Sequence, residues 1–347
     1  MAGLKSKSAI GQLDRASIIP LIVQDQTARA QTKRRWVASG FSLALTAATL
    51  YFVLHGIDEQ ALHRLAATQN RSLLVAGAVF ILLQICLAGE RWRAILSASV
   101  HERPPGVLSV QAVFYSSIFF NSLPFGTIAG DVARVWLARE FAISVKQLVL
   151  SVLCDRILTV LALILLVVLA LPTITHPLAR AAWFGAAAVL VIGVSSILLL
   201  AMIERMLKRW RHQRGVYLIL RMMEGLRPLR QTAGLIALFW ALMAGISSAA
   251  AAYLIARSLG IEVAPVAMIA VISMVTLATA LPISIGGWGV REASFVSLLG
   301  VLGVDREAAL LLSVEFGLLS MLVSLPGGVI WLTRREYRRA RKAVNAK

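Results

Sequence analysis

Two stretches of this chain place proline, glycine and charge where span-length apolar runs would otherwise continue. The first passes from Asn121 through Leu123, Pro124, Gly126 and Gly130 to Asp131 and Arg134. The second passes from Leu281 through Pro282, Ser284, Gly286 and Gly287 to Arg291 and Glu292. Proline removes a backbone donor and glycine loosens a helix. Hydrocarbon tolerates such backbone only where protein or a water-filled cavity satisfies it. If each glycine-rich turn opens a short helix, its free N–H groups and positive dipole end suit a phosphate. Arg134 and Arg291 would then grip phosphate oxygens in a bidentate fashion. Asp131 and Glu292 would neutralise the arginines, hold a cationic lipid head or carry a proton. Asn121 and Ser284 would hydrogen-bond a headgroup. The alternative gives the glycines to tight helix packing and the arginines to a membrane edge.

Three further charges fall inside apolar runs. Ionised Asp155 and Arg156 each cost about 2.5–3.5 kcal/mol there, even on the lenient insertion scale. As sequence neighbours they point about 100° apart on a helix and cannot simply pair. The expected partners are Glu315 for Arg156, and Arg134 or Arg291 for Asp155. An arginine binding phosphate beside an orienting aspartate is one reading. A structural ion pair, or snorkelling toward the interface, is the other. Glu315 divides the same way, between a functional intramembrane acid and a structural partner.

The elements that must position these residues are membrane helices. The chain has 347 residues, 59% of them hydrophobic and 15% charged, with a mean hydropathy of +0.79. Long apolar runs sit near 36–55, 72–90, 107–122, 148–171, 181–203, 233–256, 263–282 and 308–332. Most approach the roughly 20 residues that cross a bilayer. Shorter pieces at 128–143 and 290–303 follow the two interrupted motifs. The net charge of +18 fits basic loops meeting anionic lipid, so nucleic acid is not an expected partner.

Charge placement decides the connections. If each short piece turns back on the run before it, 28 of the 35 Lys and Arg fall on one side and five on the other. Without the hairpins, the basic 204–232 segment lands on the wrong side for the positive-inside rule. The expectation is an all-α polytopic protein with eight spans and two re-entrant broken hairpins. The hairpins enter from opposite leaflets, as in an inverted repeat. Residues 1–35 form a basic cytoplasmic tail, 36–333 the membrane domain and 334–347 a second basic tail. Segment 204–232 is either a headgroup-level amphipathic helix or a basic loop. Trp36, Trp92, Trp136 and Trp331 are expected in the interfacial belt.

Arg91-Trp92-Arg93, the Asn121–Arg134 motif, Asp155-Arg156 and the Pro282–Glu292 motif together resemble the lysylphosphatidylglycerol synthase transmembrane, or flippase-like, family over roughly residues 36–333. The resemblance implies lipid handling in a bacterial inner membrane, with both termini cytoplasmic. Two-domain members pair the membrane part with a soluble domain that makes an aminoacylated phospholipid. Only about fifteen residues follow Leu332, so that synthesis is not expected. Stand-alone members are linked to envelope lipids, hopanoids or polyprenyl-linked sugars.

The functional expectation is a translocator of a phosphate-bearing lipid. A non-catalytic partner of a lipid-biosynthesis or glycosyltransferase complex is the main alternative, and a headgroup transferase a further one. No P-loop, nucleophile elbow, cofactor motif or metal-spaced histidines occur, so no cofactor or metal is expected. Oligomeric state is not legible from the sequence.

Overall fold

A computed structural model describes residues 69–99, 105–122, 127–141, 143–174, 177–207, 228–229, 231–280 and 287–345. The expected first span, the N-terminal tail and most of the 204–232 segment lie outside these residues. So do Gly126, Ser284 and Gly286.

The described residues form helices α1 (Arg71–Ser99), α2 (Val107–Asn121), α3 (Thr127–Leu137), α4 (Val145–Ala170), α5 (Pro177–Leu207), α6 (Thr232–Ser258), α7 (Pro265–Ala280), α8 (Val290–Gly300) and α9 (Arg306–Asn345). Short 3₁₀ turns extend α3 and α4. No strand occurs among the described residues. Five of the helices, α1, α4, α5, α6 and α9, are long and apolar enough to cross a membrane. Large apolar side chains face outward, including Phe184, Val191 and Ile192 on α5. A multi-pass protein places such residues against lipid. Beyond Thr333, where a separate tail is expected, α9 simply continues as helix.

Helices α2 and α3 are 15 and 11 residues long, and α7 and α8 are 16 and 11. At 1.5 Å per residue, none reaches the ~30 Å of a hydrocarbon core. Each pair folds back on itself. The Asn121 side chain at the end of α2 accepts from the Gly130 N–H of α3 at 3.1 Å, and Ser117 lies against Arg134. In the other half, Gly287 packs on Thr279.

The packing of one half maps onto the other when α1, α2, α3 and α4 are exchanged with α6, α7, α8 and α9. Thus α2 packs on α9 as α7 packs on α4, and α1 packs on α4 as α6 packs on α9. The centre is the α1–α6 contact, which is antiparallel. The Asn70 N–H donates to the Ser258 carbonyl, and farther along Ser247 donates to the Phe80 carbonyl. Small residues allow the close approach: Ala249, Ala251, Ala252 and Ala256 line α6, and a side chain at Gly77 would press on Ile255. Such stripes are how helices associate where lipid removes the hydrophobic drive. Ile255, Met268, Ile272, Phe295, Leu299 and Leu312 complete the larger core, which joins α1, α6, α7, α8 and α9.

Candidate functional site

The first hairpin builds a buried ion cluster. Arg91 of α1 donates from Nε and Nη2 to Asp155 of α4, at 2.6 and 3.1 Å. Arg134 of α3 donates from Nη1 to the same carboxylate at 2.9 Å. Its Nε meets the Ser117 hydroxyl, and its guanidinium lies over the Phe114 ring at 4.4 Å and the Trp92 ring at 5.4 Å. Arg134 is 2% exposed and Asp155 1%. Arg156 turns the other way and grips Asp131 bidentately, at 3.0 and 2.8 Å. That second pair is only part-buried, with Arg156 at 40%.

Several expectations are corrected here. Asp155 does pair with Arg134, but not with Arg291. Arg156 does not meet Glu315; its partner is Asp131. Glu315 instead accepts from the Gln69 amide at 2.7 Å, beside Ser258. Arg91 and Arg134, counted above among the 28 on the basic side, are inside the bundle; the expected asymmetry does not depend on them. Trp92 is not a belt residue: it is fully buried and donates from Nε1 to Ser151. Trp136 is half exposed. Sequence spacing could not identify Arg91 as the main partner of Asp155, because the contact joins helices 64 residues apart.

The second hairpin solves a similar problem differently. Gly287 and Gly289 adopt φ of 80° and 83°, a conformation side chains resist. The turn brings the Glu292 carboxylate back onto the Gly289 N–H at 2.5 Å, closing the start of α8. Glu292 is fully buried, and Arg291 neutralises it at 2.6 Å. Ser313 of α9 lies within 3.4 Å of both. The helix starts therefore already hold internal acceptors: Glu292 on α8 and the Asn121 amide on α3. The donor capacity left open to a cavity therefore belongs to a side chain, not to free backbone.

That side chain is Arg291. Its guanidinium stacks on Trp288 at 4.3 Å and rests on α9 at Gly317, where any side chain would overlap it. Among the described residues Nη1 has no hydrogen-bond acceptor. Arg291 and Trp288 form one wall of a cavity of about 210 Å³. Asn121 and Ser122, from the end of α2, line the same cavity; Gln84 of α1 and Ser320 of α9 add polar groups. Both interrupted motifs thus reach one cavity. Arg134, Asp131, Asp155, Arg156 and Glu315 do not line it.

The family described as the lysylphosphatidylglycerol synthase TM region matches the chain over residues 39–328. No curated protein matches it at a significant level.

Proposed function

The chain belongs to the lysylphosphatidylglycerol synthase transmembrane-region family, and from that premise we propose that it carries a phosphate-bearing polar lipid between leaflets. The observation that carries this reading is the Arg291 guanidinium in a cavity shared by both broken motifs. An arginine stacked on one face, with hydrogen-bonding capacity left over, is suited to phosphate oxygens. Asn121, Gln84 and Ser320 supply neutral polar groups for the rest of the head. The lipid tails stay in the bilayer. Arg91, Arg134 and Asp155 hold the first hairpin in place for this work. The reading is of a carrier, with no residue assigned a catalytic role.

The proposed frame is eight spans with two re-entrant hairpins, inverted relative to each other, in a bacterial inner membrane with both termini cytoplasmic. The interchangeable packing of the two halves and the antiparallel α1–α6 pair support it. Paired broken helices meeting at a polar site are how transporters of this kind arrange binding.

The test is a leaflet-exchange assay in vesicles containing the purified protein and headgroup-labelled phospholipid. The double variant Arg291→Gln/Glu292→Gln removes both charges together, so no buried charge is orphaned. Folded protein with exchange reduced to the protein-free rate is expected. Wild-type exchange rates in that folded variant would overturn the assignment.

A further inference from the structure

A second lipid-facing feature lies away from the Arg291 cavity. Between α3 and α4 runs a groove of about 330 Å³. Its walls are Val132, Val135, Trp136, Val149 and Val152. Asp131 lies toward one end and Arg139 toward the other. On a helix, eight residues span about 12 Å, so the groove is long enough to seat most of an acyl chain. Asp131 is already held by Arg156. Arg139 is exposed, and no carboxylate among the described residues pairs with it; the adjacent Glu140 is taken by Arg334 at 2.7 Å. Lys146, exposed in the first turn of α4, is likewise without an acidic partner there.

The charge around this groove is lopsided. Asp131 is answered by Arg156 and Glu140 by Arg334, which leaves Arg139 at the groove and Lys146 in the first turn of α4 without a carboxylate among the described residues. The surplus is two cations. Both lie near the short connection between α3 and α4, where the helices end. The comparison within the same molecule is a groove of about 410 Å³ between α7 and α8, lined by Met274, Val290, Leu298 and small residues. It is also apolar, yet among the described residues no charged residue lines it.

We propose that the α3–α4 groove is a fixed binding site for an anionic phospholipid of the surrounding bilayer. The phosphate lies at Arg139 and Lys146, and one acyl chain lies along Val135, Val149, Val132 and Val152 against Trp136. The site does not depend on translocation: it is a standing lipid contact on the outside of the first hairpin. Charge complementarity chooses the occupant, since a zwitterionic lipid would gain the apolar contact but leave the surplus cations unanswered.

The experiment is fluorescence quenching of the full-length protein reconstituted in vesicles, with chain-brominated phosphatidylglycerol or chain-brominated phosphatidylcholine as quencher. The Trp136 signal is the difference between the chain and its Trp136→Phe variant. At roughly 1 kcal/mol per cation near the surface, a preference of about fivefold or more for phosphatidylglycerol is expected. It should fall toward unity in Arg139→Gln/Lys146→Gln and weaken as salt is raised. A probe placed by Leu298→Trp should show no such preference. Equal quenching by the two lipids at Trp136 would overturn the proposal. So would a preference that survives the double variant, or an equal preference at the α7–α8 groove.

Discussion

At matching places in its two hairpins the protein buries charges of opposite sign. Counted from Leu123 and Leu281, Arg134 and Glu292 occupy the same position, and both are almost completely enclosed. Each looks to a residue 21 positions later: Asp155 on α4 for Arg134, and Ser313 on α9 for Glu292. The difference lies in where neutralisation comes from. The first half draws Asp155 and Arg91 from two other helices. The second half uses the neighbour in sequence, Arg291, with only a hydroxyl from α9. Buried cross-helix pairs tie elements together, and breaking one orphans a charge. A local pair ties nothing distant, so Arg291 is free to present its remaining N–H groups to the cavity. The first hairpin is thus built for fixation, and the second leaves a guanidinium edge open to the cavity.

The strongest way to break this contrast is Asp155→Ala. It strands Arg91 and Arg134 in the bundle and should cost about 3–5 kcal/mol, seen as a large fall in thermal stability in detergent. Ser313→Ala, at the corresponding place, should cost no more than about 1 kcal/mol. Similar losses from both would erase the distinction between the halves.

Next in size, Gly327→Leu would drive a side chain into the backbone of Tyr115, whose hydroxyl donates to the Val323 carbonyl. Overpacking of this kind costs about 1–3 kcal/mol. Gly317→Ala on the same helix meets the Arg291 guanidinium, including the Nη2 that answers the buried Glu292. It should lower the unfolding temperature modestly and reduce lipid exchange. A Gly317→Ala protein that exchanges lipid at the wild-type rate would show that the placement of the guanidinium does not matter.

Arg291→Lys sharpens the point further. The positive charge beside Glu292 remains, but the planar fork and its stacking on Trp288 are lost. Stability should hold and exchange should drop, read in the same vesicle preparation. The smallest effect belongs to Arg156→Gln. The Asp131–Arg156 pair is part-exposed, and such pairs are worth about 1 kcal/mol or less; a shift beyond that in chemical denaturation would mean the pair is structural after all.

The helical, many-span character of the chain was legible from long apolar runs, because a bilayer imposes a length and a polarity that composition records directly. The broken hairpins were legible too, since Leu-Pro followed by glycines cannot continue a helix undisturbed. Local chemistry carried as far as Glu292 neutralising Arg291; its cap on the Gly289 N–H is a finding of the structure. Local chemistry left Asp155 between Arg134 and Arg291, and it did not carry to Arg91 or Glu315. Their partners are set by which faces of separate helices meet, and the spacing of residues within one helix says nothing about that. The sequence by itself therefore determined that charges would be buried in the membrane and that each would need an answer. Only tertiary structure decided the answers. It locked Arg134 away under Asp155, Trp92 and Phe114, and it left Arg291 at the wall of a cavity, because a glycine on a different helix happened to make room.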